Sequence, residues 1–136
     1  MPAMFDAASS GAPLAIDPDA IRAHAELIHR LAGPLAGKGK LVITAFGEDP
    51  DQLHPKTDKP GCPLTPIVVH VEIGDIATTV QTIVNLATRR HYNVYMPLAV
   101  FRPDLEEGKK GAEKNIVAVL GLVPDFDDQE AGRWAE

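Results

Sequence analysis

The sequence predicts a single α+β domain, and three observations carry that prediction. Two segments repeat apolar residues at helical spacing behind recognisable caps, four apolar runs have strand character, and helices lie between strands along the chain. The expected architecture is a four-stranded mixed sheet with two full helices and a C-terminal helix stub. The 136 residues suffice for one core, and 45% hydrophobic with 24% charged content is ordinary for a soluble globular chain.

Met1 to Ala15, rich in Ala, Ser, Gly and Pro, has no basic start and no apolar run, so it reads as a flexible tail ahead of a domain over 16–136. Asp17-Pro18-Asp19 then starts a helix: Asp17 can cap, Pro18 suits the first turn, and Asp19 favours the positive end of the dipole. Ile16 and Ile21 are spaced for a hydrophobic staple, and Ile21, His24, Leu27, Ile28 and Leu31 mark the expected inner stripe. Gly33-Pro34 ends the helix.

Leu41 to Phe46 is the first expected strand. Gly47 to Pro66 holds five prolines and no periodicity, which predicts a long stiff loop. Ile67 to Ile73 alternates apolar and polar residues as a half-buried second strand. Asp75 caps a second helix reaching about Arg90, with Ile76, Val80, Ile83, Val84 and Ala87 inward. Tyr92 to Phe101 is the third strand, with Pro97 marking an edge or a bulge. Arg102 to Glu113 is a polar loop containing Gly108-Lys109-Lys110-Gly111.

The fourth strand, Ile116 to Pro124, is an unbroken apolar run expected to be buried on both faces. It leads into Asp125-Phe126-Asp127-Asp128, where Asp125 and Asp127 share one strand face. Paired carboxylates raise each other's pKa unless a cation separates them, and a hard ion such as Mg²⁺ takes such oxygen ligands. The alternative for this pair is two solvated residues in the turn that ends the strand. Asp128 caps the stub over Gln129 to Glu136.

The formal charge of −6 excludes a generic basic nucleic-acid coat protein. The charge is uneven, however: residues 86–116 carry 6 basic and 4 acidic side chains, whereas 117–136 carry 1 basic and 5 acidic. A positive segment directly before an acidic cluster suits a metal-dependent site for phosphates, as it also suits solvated loops. The single Cys62 excludes an internal disulfide and fits a reducing cytoplasm, and no run approaches the ~18 apolar residues of a membrane span.

Several of these segments together resemble the archaeo-eukaryotic primase superfamily, in its RepB-like plasmid and phage branch. Ile116 to Asp128 looks like that family's first catalytic motif, a hydrophobic strand ending in Asp-x-Asp. Asn93-Val94-Tyr95-Met96 resembles a neighbouring strand, and Arg102-Pro103 with the Gly108-Lys109-Lys110-Gly111 loop resembles the segment before the motif. The resemblance covers residues 40–136 and implies the N-terminal part of an RRM-type catalytic domain. By it, Asp125 and Asp127 are catalytic and hold Mg²⁺ or Mn²⁺, which activates a 3′-oxygen and steadies pyrophosphate. Arg102, Lys109 and Lys110 are the candidate phosphate-binding cations, the alternative for the two lysines being flexible surface residues that only solubilise. The implied partners are a DNA template, nucleoside triphosphates and a helicase or other replication protein, with no membrane.

Complete primase cores carry a histidine motif and a third acidic motif after the first. His24, His29, His54, His70 and His91 all precede Asp125, so the expectation for the 136 residues alone is no primer synthesis. Three other readings stand beside this one. They are a sugar-nucleotide transferase using Asp-x-Asp, a Toprim-type site, and an accessory DNA-binding or interaction module derived from a primase. The first two want an earlier acidic or phosphate motif, for which Glu48 and Asp49 are the nearest candidates. Tyr92 and Tyr95 are expected to pack rather than to stack on bases, and His54, Cys62 and His70 match no zinc spacing.

Overall fold

The computed structural model describes residues 16–121. Asp125, Asp127, the end of the fourth expected strand, the helix stub and the N-terminal tail lie outside the described residues. Helix α1 (Pro18–Ala32) leads through a 3₁₀ turn into strands β1 (Lys40–Leu53), β2 (Pro60–Pro63) and β3 (Ile67–Glu72). Helix α2 (Ile76–Ala87) follows, then β4 (Tyr92–Tyr95), β5 (Ala99–Phe101) and β6 (Ile116–Val119).

The α+β class and the two helices are as expected, but among the described residues the sheet has six strands rather than four. Two features raise the number. Pro97 lies between β4 and β5, which pair with the same edge of β1 as two pieces of one interrupted strand. The segment expected as a stiff loop is a hairpin, because β1 runs on to Leu53 and pairs antiparallel with β2. A register shift between Asp49 and Leu53 accommodates Pro50, which has no N–H to donate. His54 builds the turn: its Nδ1 accepts from the N–H groups of Lys56 and Thr57 at 3.0 and 3.3 Å.

β1 organises the sheet. β3 pairs with it along one edge and β4 and β5 along the other, and every strand pair among the described residues is antiparallel, so no neighbours there give the mixed sheet expected. The parallel relationship is indirect. β3 and β4, both antiparallel to β1, run the same way on either side of it, with α2 crossing between them.

Leu41, Ile43 and Ala45 of β1 point to the helices and pack with Ile28, Ala32, Val71, Leu86 and Val100. Val42 points the other way and packs with Ala99, Phe101 and Leu105. β1 is thus buried on both faces, each large side chain contributing about 1.5–3 kcal/mol. β6 is not. Val117 and Val119 remain 45% and 59% exposed, whereas Ile116 packs against the cluster of Val42, Ala99, Phe101 and Leu105.

Helix α1 has the predicted cap, with Asp17 Oδ1 accepting from the N–H groups of Asp19 and Ala20. Its inner stripe is turned from the expected one: Ala25, Ile28, His29 and Ala32 are buried, whereas Leu27 and Leu31 are exposed. His29 causes the difference by finding polar partners inside. The N–H of Gly74 donates to its Nδ1 at 2.8 Å, so Nε2 carries the proton and donates to Thr79 Oγ1 at 2.8 Å. Thr79 in turn donates to the carbonyl of Asp75 at 2.9 Å. This satisfied chain ties α1 to α2 through a neutral imidazole, and burial pushes the His29 pKa below its ordinary value against the attraction of Asp75.

Candidate functional site

The loop between β5 and β6 is built as a closed unit. The N–H of Arg102 donates to the carbonyl of Asn115 at 2.8 Å, joining the two ends of the loop. Leu105 enters the core beneath, and the carbonyl of Leu105 accepts from Lys40 Nζ. Gly111 seats the return: it holds φ +81°, and a Cβ there would lie 2.8 Å from two ring carbons of Phe101. The loop therefore lies on the sheet face opposite the helices.

Arg102, Lys109 and Lys110, the three cations singled out from sequence, line one cleft of about 660 Å³ in this loop. Lys114 joins them, while Asp104 and Glu106 are the acidic side chains of the lining. The three differ in what they are free to do. Arg102 is forked onto Asp104, with both N–H···O distances 3.1 Å, which raises the guanidinium pKa and lowers that of the carboxyl. Lys110 Nζ sits 5.4 Å from the centroid of the Phe46 ring. Lys109 and Lys114 enter no ion pair among the described residues.

Through Lys110 the cleft meets an aromatic pair on the same sheet face. Phe46 and Tyr95 have centroids 5.7 Å apart at 54°, and Tyr95 is 53% exposed. The two tyrosines thus part company. Tyr92 packs on the helix side and donates its hydroxyl to the carbonyl of Thr65 at 2.8 Å, as packing residues do, whereas Tyr95 presents its ring to solvent.

A second grouping lies where β1 passes the start of β4. Asp49, Asp51 and His91 place one donor atom each within 4.8 Å of one another, the one such trio among the described residues. Gly47 makes it possible, since any Cβ there would collide with the carbonyl oxygen of His91. That carbonyl accepts from the N–H of Glu48 at 3.3 Å and pins His91, which adopts a left-handed φ of 69°. Asp49 Oδ1 accepts from the N–H of Asp51 at 2.9 Å and lies 4.0 Å from His91 Nε2.

Ligands on one metal, at bonds of about 2.0–2.2 Å, sit roughly 3–4 Å apart, so a small contraction would let these three side chains hold an ion. One imidazole beside carboxylates suits Mn²⁺ or Zn²⁺ better than Mg²⁺, which prefers oxygen alone. Sequence reasoning came close to this trio by noting Glu48 and Asp49, but missed Asp51 and His91. Asp-Pro-Asp is an alternating pair once the segment is seen as strand, and the prolines hid that strand.

Comparison with known proteins returned no matching family model, no matching characterised sequence and no matching solved structure.

Proposed function

We propose that this chain is a nucleic-acid-binding domain of the primase type, whose β5–β6 loop grips the phosphates of a single strand while the adjoining sheet face takes its bases. The observation that carries this reading is the convergence of Arg102, Lys109, Lys110 and Lys114 on one cleft, beside the Phe46–Tyr95 pair. Single-strand binders combine a cationic track with aromatic faces, since stacking tolerates every base.

The overall charge does not oppose this. Six of the 19 acidic side chains, Asp6, Asp125, Asp127, Asp128, Glu130 and Glu136, lie in 1–15 and 122–136, against one of the 13 basic ones, Arg133. The described body therefore carries 13 acidic and 12 basic side chains, close to neutral, so a local cationic cleft is not overwhelmed.

Within this reading the residues divide the work. Lys109 and Lys114 meet phosphate oxygens directly, and Arg102 exchanges Asp104 for a phosphate with the same fork. Lys110 is shared between the Phe46 ring and the backbone of the strand, and Tyr95 receives a base. Asp125 and Asp127 belong to the same proposal as holders of Mg²⁺ or Mn²⁺ for nucleotidyl transfer. A metal-dependent reading finds separate support in Asp49, Asp51 and His91, where a divalent ion would supply positive charge to a phosphate group.

The experiment is a backbone NMR titration with a short oligothymidylate. The expected result is a contiguous set of shifted amides over 102–115, joined by Phe46 and Tyr95. Shifts that fall elsewhere, or none at a large excess of oligonucleotide, would remove the proposal.

A further inference from the structure

One buried polar atom has no partner. The His70 side chain is only 2% exposed, and its Nδ1 makes no hydrogen bond, the one such buried side-chain nitrogen or oxygen among the described residues. The other ring nitrogen settles the tautomer. Nε2 lies 2.7 Å from the carbonyl oxygen of Lys109, which can only accept, so Nε2 carries the proton and Nδ1 presents a bare lone pair. That lone pair lies 3.7 Å from Glu107 Oε2. Two acceptors face each other with no donor between them, an arrangement that one proton would turn into a charge-assisted hydrogen bond.

The position of this pair gives it a consequence. His70 reaches from β3 to the backbone of Lys109, and Lys40 reaches from β1 to the backbone of Leu105, so two sheet side chains hold the loop that forms the cationic cleft. Other charged groups nearby come from three elements. Lys40 of β1, Glu72 of β3 and Glu107 of the loop line a hollow of about 370 Å³ together with His70. On β1 the residue opposite His70 is the uncharged Val42. Lys40 is already engaged with the Leu105 carbonyl, and Glu107, 84% exposed, is free to move toward His70.

We infer that His70 is a positioning residue of the loop and that a proton on its Nδ1, shared with Glu107, locks the loop and strengthens phosphate binding in the cleft. The binding half of this inference rests on the function proposed above, and the locking half does not. Protonation acts twice. It fastens Glu107 to the sheet, so the segment 105–111 is held at Lys40, at Lys109 and at Glu107. It also neutralises a carboxylate two residues from Lys109, which leaves the loop one unit more positive toward a polyanion. By reciprocity, whatever proton uptake does for phosphate, phosphate does for proton uptake.

His70→Gln is the discriminating variant, because the glutamine amide can still donate to the Lys109 carbonyl but takes no proton. Glu107→Gln removes the other half of the pair. Two readouts are taken at about pH 7.5 and at about pH 5.5. The first is amide-exchange protection over 105–111 in the ligand-free protein. The expected result is a gain in protection on acidification in the wild type, absent from both variants. The second is oligothymidylate affinity, expected to rise about threefold more in the wild type than in His70→Gln, the worth of a charge pair with one partner in solvent.

Equal pH responses of loop protection in wild type and His70→Gln would overturn the inference. A loop that locks in the wild type alone, with no oligonucleotide bound by any form, would keep the latch and discard the phosphate reading.

Discussion

Replacing Gly47 by alanine tests how the Asp49–Asp51–His91 grouping is built. A Cβ at this position would run into the carbonyl oxygen of His91, approach its carbonyl carbon to 3.0 Å and touch Leu64 Cδ1 at 3.2 Å. The Leu64 methyl can turn away, but the carbonyl belongs to the backbone and is held by the N–H of Glu48. Relief must come from parting β1 and the start of β4. Forced overpacking costs about 1–3 kcal/mol, and losing the Glu48–His91 hydrogen bond adds about 1 kcal/mol. The expected destabilisation is therefore about 2–4 kcal/mol, read as a lower urea midpoint with an unchanged slope. Gly33→Ala is a milder comparison: beyond its chain neighbours nothing lies within 4 Å of its Cβ, and its helical φ of −48° is strained for alanine only by the ring of Pro34 that follows, so its cost should stay below that of Gly47→Ala. A Gly47→Ala protein within about 0.5 kcal/mol of wild type would refute the claim that this close approach positions His91.

The remaining predictions concern charge, metal and stacking. Because burial lowers the His29 pKa below 6.5, the unfolded chain binds a proton more readily than the folded one. Its contribution to stability is therefore full above about pH 6.5 and declines as pH falls toward the depressed folded value, which urea midpoints against pH will show in wild type but not in His29→Asn. Mn²⁺ should broaden amides of residues 47–51 and 89–92, and Asp49→Asn with His91→Ala should abolish that effect. Broadening confined to 123–129, and lost in Asp125→Asn with Asp127→Asn, would instead assign the ion to the second pair. Asp104→Asn should tighten oligonucleotide binding about twofold to fivefold by releasing the Arg102 fork, and a weaker complex would show the pair to be a necessary strut. Tyr95→Ala should weaken binding by about 1–3 kcal/mol, with a separate stability cost of about 0.5–1.5 kcal/mol for the lost ring pair with Phe46.

Where local chemistry decides structure, the sequence was readable. The Asp17 cap, the Gly33-Pro34 stop and the start of a strand at Ile67 each act within a few residues, and each appears where expected, whereas Pro97, expected at an edge or a bulge of one strand, divides it into β4 and β5. The hairpin of β1 and β2 was hidden because prolines argue against strands in general. Here Pro50 meets a register shift, and Pro60 and Pro63 stand at the two ends of β2. The inner face of α1 was misjudged by one position in the helical cycle. His29 counts as polar in a pattern search, yet the partners that bury it, Thr79 and Gly74, lie about 45–50 residues away.

The candidate site divides in the same way. Arg102, Lys109 and Lys110 lie on one loop, so their grouping could be read along the chain, although the cleft they line was not expected. His91 meets Asp49 only after α2 has crossed the sheet, and Lys110 meets Phe46 only once the loop has folded over the sheet face. No spacing along the chain announces either contact.

The most direct measurement is the salt dependence of oligothymidylate affinity, for wild type and for Lys109→Ala with Lys110→Ala and Lys114→Ala. Each phosphate neutralised on a single strand contributes about −0.7 to the slope of log affinity against log salt. The expected wild-type slope is about −2 to −3, flattened by about 2 in the triple variant, which should stay folded because Lys109, Lys110 and Lys114 are exposed. A slope that survives the three substitutions unchanged, or no binding even at about 50 mM salt, would contradict it.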